Sequence, residues 1–183
     1  MKGSVEDLLA CDLPLGCSVV PLAFEPEWRE PALGYEAVSA WEAENGAVLP
    51  EPYRSLIAEI TNGSSLGPPE DGGLLPLGWL TPGWPYQIDR NPAAPFPLQE
   101  TLAWEGEPPA ANHSERVTDV YGNGSIVLGT DDELSYWILV VHGPQRGKVW
   151  LVSDVGACPY PGPEAFGFLE WVQRWQADDG WWD

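Results

Sequence analysis

Between Trp41 and Gly78 the chain reads WEAENGAVLPEPYRSLIAEITNGSSLGPPEDGGLLPLG, and this stretch leaves the fold less freedom than any other. Leu49-Pro50 closes a turn, and Pro52 takes a first-turn helical position, where a missing N–H costs nothing. Tyr53, Leu56, Ile57 and Ile60 then recur at i, i+3, i+4 and i+7, one apolar stripe on a short helix. Asn62-Gly63 ends it, since both residues accept the left-handed conformation, and Ser64-Ser65 with Pro68-Pro69 leads away as a loop. Upstream, Tyr35 to Asn45 reads as a helix stopped by Gly46, with Val38 and Trp41 inward and Glu36, Glu42 and Glu44 toward water. Downstream, Leu74–Leu77 is predicted as a short strand, and Pro76 puts it at an edge or at a strand end.

The second half reads as strands. Thr101–Trp104 and Val117–Tyr121 are candidates, Gly122-Asn123-Gly124 is a turn, and Ser125–Gly129 is a strand ended by the acidic turn Asp131–Glu133. Tyr136–His142 is nearly continuous apolar sequence, suited to a central strand buried on both faces. Gly143–Gly147 reverses it into Lys148–Ser153, which completes a meander. Phe168, Trp171, Val172 and Trp175 then repeat at helical spacing, so a closing helix presents two indoles to the sheet. Thr81–Pro97, with five prolines, is expected as an extended surface loop, and Val19–Phe24 as a further edge strand. Helices before and after a mostly antiparallel sheet give an α+β fold.

Charge either selects a class of partner or only keeps a Trp-rich, Pro-rich chain in solution. The chain has 28 Asp and Glu against 8 Lys and Arg, a net charge of −20, with acids spread from Glu6 to Asp183. Such a surface repels phosphate backbones and steers basic proteins inward, so nucleic acid is not the expected partner. No apolar run approaches the roughly 18 residues of a membrane span, the first residues carry acids where a signal peptide carries cations, and a cytoplasmic location is expected. Cys11, Cys17 and Cys158 show no CxxC spacing, so neither a disulfide framework nor a zinc site is indicated.

Catalytic patterns are missing from the sequence. His113 and His142 belong to no HxH, HExxH or HxxE arrangement, and there is no GxSxG elbow or GxxxxGK[ST] phosphate loop. Asp131–Glu133 lacks the alternating oxygen ligands of a calcium loop. No enzyme activity, cofactor or metal is expected. Among 11 tryptophans, Trp41, Trp137, Trp150, Trp171 and Trp175 fall on apolar faces. Trp79, Trp84 and Trp104 lie in or beside irregular segments, and Trp181-Trp182 sits in an acidic context that suits either an interface or a tail folded back over the domain's own edge.

The order Trp41-Glu42, Gly46, Leu49-Pro50, Tyr53 and Asn62-Gly63 resembles the SMI1/KNR4 family, also called the SUKH superfamily. Gly124–Gly129, Trp137–Val141, Gly147–Trp150 and a closing helix around Phe166–Trp175 extend the likeness over residues 35–176. Ser64 departs from a frequent second glycine after the Asn-Gly pair. The resemblance implies an extension over residues 1–33, a domain over 34–177 and an acidic tail over 178–183. It also implies a non-catalytic protein-binding role, as an immunity protein that neutralises a basic, nuclease-type toxin by occlusion. Regulatory or scaffold proteins without a toxin partner are the other branch of the family. The contact residues expected on this reading are Glu70 and Asp71, Trp84, Tyr86 and Asp89, and Asp131, Asp132 and Glu133, with the Gly63–Gly73 loop as the docking place.

Overall fold

The computed structural model describes residues 23–69, 72–81, 84, 89–102, 113–132, 134–162 and 165–177. Helix α1 (Tyr35–Asn45) and helix α2 (Tyr53–Glu59) form where the sequence places them. α1 stops because Gly46 takes a φ of +61° and donates its N–H to the Glu42 carbonyl, a conformation L side chains resist. α2 buries Tyr53, Leu56, Ile57 and Ala58, and ends at Ile60, whose N–H reaches Leu56 O at 2.9 Å. Asn62 works through its side chain, with Oδ1 accepting the Leu77 N–H at 3.0 Å.

Glu42 does not face water as expected. Its Oε1 accepts the Leu49 N–H and the Arg54 Nε–H, each at 2.9 Å, and Oε2 accepts from Arg54 at 3.2 Å. With 11% of its side chain exposed, the carboxylate ties α1 to the turn and to the first turn of α2. Arg146 tightens the same turn from the far half of the chain, donating to Val48 O and Leu49 O at 3.0 and 3.2 Å.

Four antiparallel strands follow in the order of the sequence: β1 (Ser125–Thr130), β2 (Ser135–Val140), β3 (Val149–Ser153) and β4 (Gly156–Pro159). The expected three-strand meander is present, with β4 added. Trp137 and Leu139 point to one face while Tyr136, Ile138 and Val140 point to the other, and both faces are apolar. α1, α2 and the closing helix α4 (Phe168–Gln176) cover the first face through Val38, Tyr53, Phe168, Trp171 and Val172. Trp171 lies 5.7 Å from Trp137 between ring centroids.

The second face corrects three expectations. Val117–Tyr121 is not a strand but part of helix α3 (His113–Gly122), because Val117, Val120 and Tyr121 fall on one helical face and bury together. Thr81–Pro97 is not wholly a surface loop, since Phe96 is 3% exposed against Trp150 and donates its N–H to His142 O at 3.0 Å. Leu74–Leu77 makes no strand: Leu75 donates to Leu128 O at 2.8 Å, and Pro76 then has no N–H to continue a ladder. Of the two other strand candidates, residues 19–22 and 103–104 lie outside the described residues, Ala23 and Phe24 are buried in the core without strand pairing, and Leu102 makes a single bridge to Ala157.

The Glu42 clamp generates a pH signature. Burial alone would raise its pKa, but the bonds from Arg54 and the Leu49 N–H outweigh that and hold it below the ordinary 4.5. A carboxylate depressed in the folded state stabilises above its unfolded pKa, and the contribution fades as pH falls through the folded value. Glu42→Ala is expected to cost about 2 kcal/mol in urea denaturation at pH 7, because the Leu49 and Arg54 donors lose their acceptor. Glu42→Gln should remove part of the stability lost by the wild type below pH 4.5, and an unchanged acid limb would contradict the clamp.

Candidate functional site

The buried Phe24 anchors an arm whose far end bonds to α2, Leu33 donating its N–H to Ile57 O at 2.9 Å and Gly34 to Ala58 O at 3.0 Å. A 3-10 turn, Pro26–Trp28, brings Arg29 into an antiparallel bridge with Ser64. Glu30 donates its N–H to Gly63 O at 3.0 Å, and Ser65 donates to Trp28 O at 2.9 Å. Ser64 in turn donates to Leu74 O at 2.8 Å, so a succession of single bonds links the arm through the loop to β1. Between the arm, the loop and residues 72–76 lies an open groove of about 450 Å³. Glu30, Asn62, Ser65, Leu75, Pro76 and Trp79 line it.

Charge and exposure in this groove are uneven in a useful way. Trp79 is 65% exposed and Leu66, on the neighbouring loop, 47%. Glu25, Glu27 and Glu30 stand exposed along the arm. The arm's one cation, Arg29, turns inward and donates its Nε–H to Phe24 O at 2.6 Å; burial lowers its pKa against the opposing pull of Glu25. Thr61 holds the strip from behind, donating its hydroxyl to Glu30 O at 2.9 Å.

The sequence-predicted contact residues separate into distinct environments. Glu70, Asp71, Tyr86 and Glu133 lie outside the described residues. The flanks of Glu70 and Asp71 are described: a Cβ on Gly129 would stand 2.4 Å from Pro69 Cγ and 2.8 Å from Gly73 O. Pro69 and Gly73 therefore lie against β1 two residues before Asp131. Asp131 is half-buried, accepting the Trp137 indole N–H at 2.6 Å. Asp132 is exposed, and its Oδ1 accepts the N–H of Leu134 and of Ser135 at 3.0 and 2.6 Å, which shapes the hairpin tip.

Trp84 and Asp89 differ in their surroundings. Trp84 is half-buried, with its ring edge-on to Tyr121 and Tyr136 at 5.1 and 4.9 Å. The Arg90 guanidinium stacks over it at 5.1 Å and donates to Ser125 O at 2.7 Å. Burial pushes the Arg90 pKa down to about 10, so it stays protonated near neutral pH. Asp89 is exposed, but its neighbour's hold on Ser125 places it at the opposite end of β1 from Asp131. From the Gly63–Gly73 loop, Ser64, Ser65 and Gly72 line the groove, whereas Glu30 was not singled out by sequence pattern; its signal was three acids spaced along an arm that also carries prolines.

His142 Nδ1 rests against the Ala93 carbonyl, and His113 opens α3. Among the described residues no group of three His, Cys, Asp or Glu is gathered as a metal set, and no helix is long and apolar enough to cross a membrane. No known family model, curated protein or solved structure matches this chain.

Two tests follow from this geometry. Gly129→Ala is expected to destabilise by about 1–3 kcal/mol and to accelerate hydrogen exchange at the Leu75 amide, because the loop must leave β1 to admit the methyl. Normal exchange at Leu75 would show that the loop is not seated there. Burial raises the Cys158 thiol from 9.0 to about 11. The unfolded chain thus releases this proton first, so stability is complete below pH 9.0 and declines toward pH 11; Cys158→Ala should decline less steeply in alkaline denaturation series.

Proposed function

We propose that this chain is a non-catalytic protein-binding module that neutralises a basic, nuclease-type protein toxin by docking and occlusion, the role implied by its resemblance to the SMI1/KNR4 family. The observation that carries the reading is the disposition of charge around an open groove. Acids stand exposed on the arm beside the accessible Trp79, while several guanidiniums are engaged by oxygens of the fold itself. Arg29 bonds Phe24 O, Arg54 bonds Glu42, Arg90 bonds Ser125 O, and Arg146 bonds Val48 O and Leu49 O. Around the groove the described lining carries no cation, and its one formal charge is the Glu30 carboxylate.

A nuclease must carry cations to grip phosphate, so an acidic surface competes for the same groups. Long-range attraction raises the encounter rate, and exposed apolar side chains such as Trp79 and Leu66 supply area that is buried on contact. Inhibition by this route breaks no bond and needs no cofactor. It needs only that the docked module block access to the toxin's substrate-binding face.

The test is co-purification with the product of the adjacent upstream gene, followed by stopped-flow association at several salt concentrations. The association rate constant is expected to fall at least about tenfold between roughly 50 and 500 mM NaCl. A rate indifferent to salt would remove electrostatic steering from the proposal. Failure to rescue the partner's target from damage would remove neutralisation itself.

A further inference from the structure

Resting on that docking reading, we infer that the groove beside Trp79 is a receptor for a single arginine side chain of the basic partner. Its guanidinium lies on the Trp79 indole and pairs with the Glu30 carboxylate. Among the groove's described lining, Glu30 is the sole formal charge, and it is negative. An anionic group would meet that carboxylate within a chain of net charge −20. A purely apolar group would cover Glu30 without a partner, which is unfavourable.

Arginine satisfies both halves of the site. Its planar guanidinium stacks on an indole face and presents a fork of donors to a carboxylate. Lysine supplies the charge but neither the plane nor the fork. Leu75 and Pro76 give its three-carbon stem an apolar wall, and Asn62 and Ser65 place oxygen acceptors in the same lining for the remaining N–H groups. The volume of about 450 Å³ accommodates one long side chain with its flanking main chain.

The experiment titrates the ¹⁵N-labelled full chain with three short blocked peptides that differ only in a central arginine, lysine or citrulline. Citrulline keeps the shape of arginine and removes its charge. The arginine peptide should saturably shift the Trp79 indole N–H, assigned with Trp79→Phe, together with the Gly72 and Leu75 amides. Lysine should bind more weakly, and citrulline should leave these signals in place. Glu30→Gln should weaken the arginine peptide about tenfold, the equivalent of losing one charge-assisted bond. Trp79→Ala should weaken it as well. Neither side chain takes part in a hydrogen bond among the described residues, so both variants should melt like the wild type. Equal shifts with citrulline, or full affinity in Glu30→Gln, would overturn the inference. If the double variant still captures the basic partner at full affinity, the groove is not its seat, although acid-steered docking stands. If the arginine peptide binds but no basic protein is captured, the receptor stands and the docking reading falls.

Discussion

A sheet that is apolar on both faces must be covered twice, and most of this structure is the consequence. Trp137, Leu139, Val149 and Leu151 belong to one core, and Tyr136, Ile138, Trp150 and Val152 to the other. Three helices are used on the first face, so the second recruits α3 together with Phe96, Leu98 and Leu102 from a proline-rich stretch. The sheet edges are met in the same economical way. Leu102 exchanges two backbone bonds with Ala157 on β4, while Leu75 donates one to Leu128 on β1. On the β1 side Pro76 prevents a second ladder bond, and the chain departs before pairing can extend. The groove lies on that side, bounded by segments joined through single bonds rather than by a regular strand.

The residues that carry the sequence's family likeness perform tasks internal to this frame. Glu42 collects the Leu49 N–H and Arg54, Gly46 turns the chain, and Asn62 holds Leu77. Tyr53 is fully buried, with its ring edge-on to Phe168 at 5.1 Å. Together they fix how two short helices approach the sheet. None of these side chains is the exposed tryptophan or the exposed arm carboxylate of the groove. Such a motif specifies a scaffold, and a partner is chosen by the loops set upon it.

This division explains what could be read from the sequence. Trp171 and Val172 announce α4, and Leu49-Pro50 and Gly46 announce the turn, because periodicity and punctuation are local properties. Val117–Tyr121 misled because valine, threonine and tyrosine suit a strand, while the spacing of Val117, Val120 and Tyr121 suits the helix that forms. Burial decided between them. Glu42 misled for another reason: its position predicts exposure, but Arg54 and Leu49 arrive from seven or more residues away. Trp84 is similar, since Tyr121 and Tyr136 are distant in sequence and only the tertiary fold encloses its ring. The groove was legible in part, through the polar loop after Asn62, whereas its opposing wall comes from an arm joined to that loop by Arg29 and Ser64.

Net charge acquires a mechanism once the cations are placed. In a chain with 28 acids and 8 basic residues, surface ion pairs could neutralise only part of the negative charge. Several guanidiniums also bond carbonyl oxygens that hairpins and turns leave open. Arg146 joins the β2–β3 turn to the Leu49 turn, and Arg90 fastens the end of the proline-rich stretch to β1. A guanidinium suits this work, as it can serve two acceptors at once and is weakly hydrated. Each of these arginines keeps its charge while bonding an uncharged carbonyl, so it steadies irregular backbone and offsets one unit of the chain's negative charge. The net charge of −20 therefore comes from the excess of acids alone, and the arginines set where the backbone is held rather than how negative the chain is.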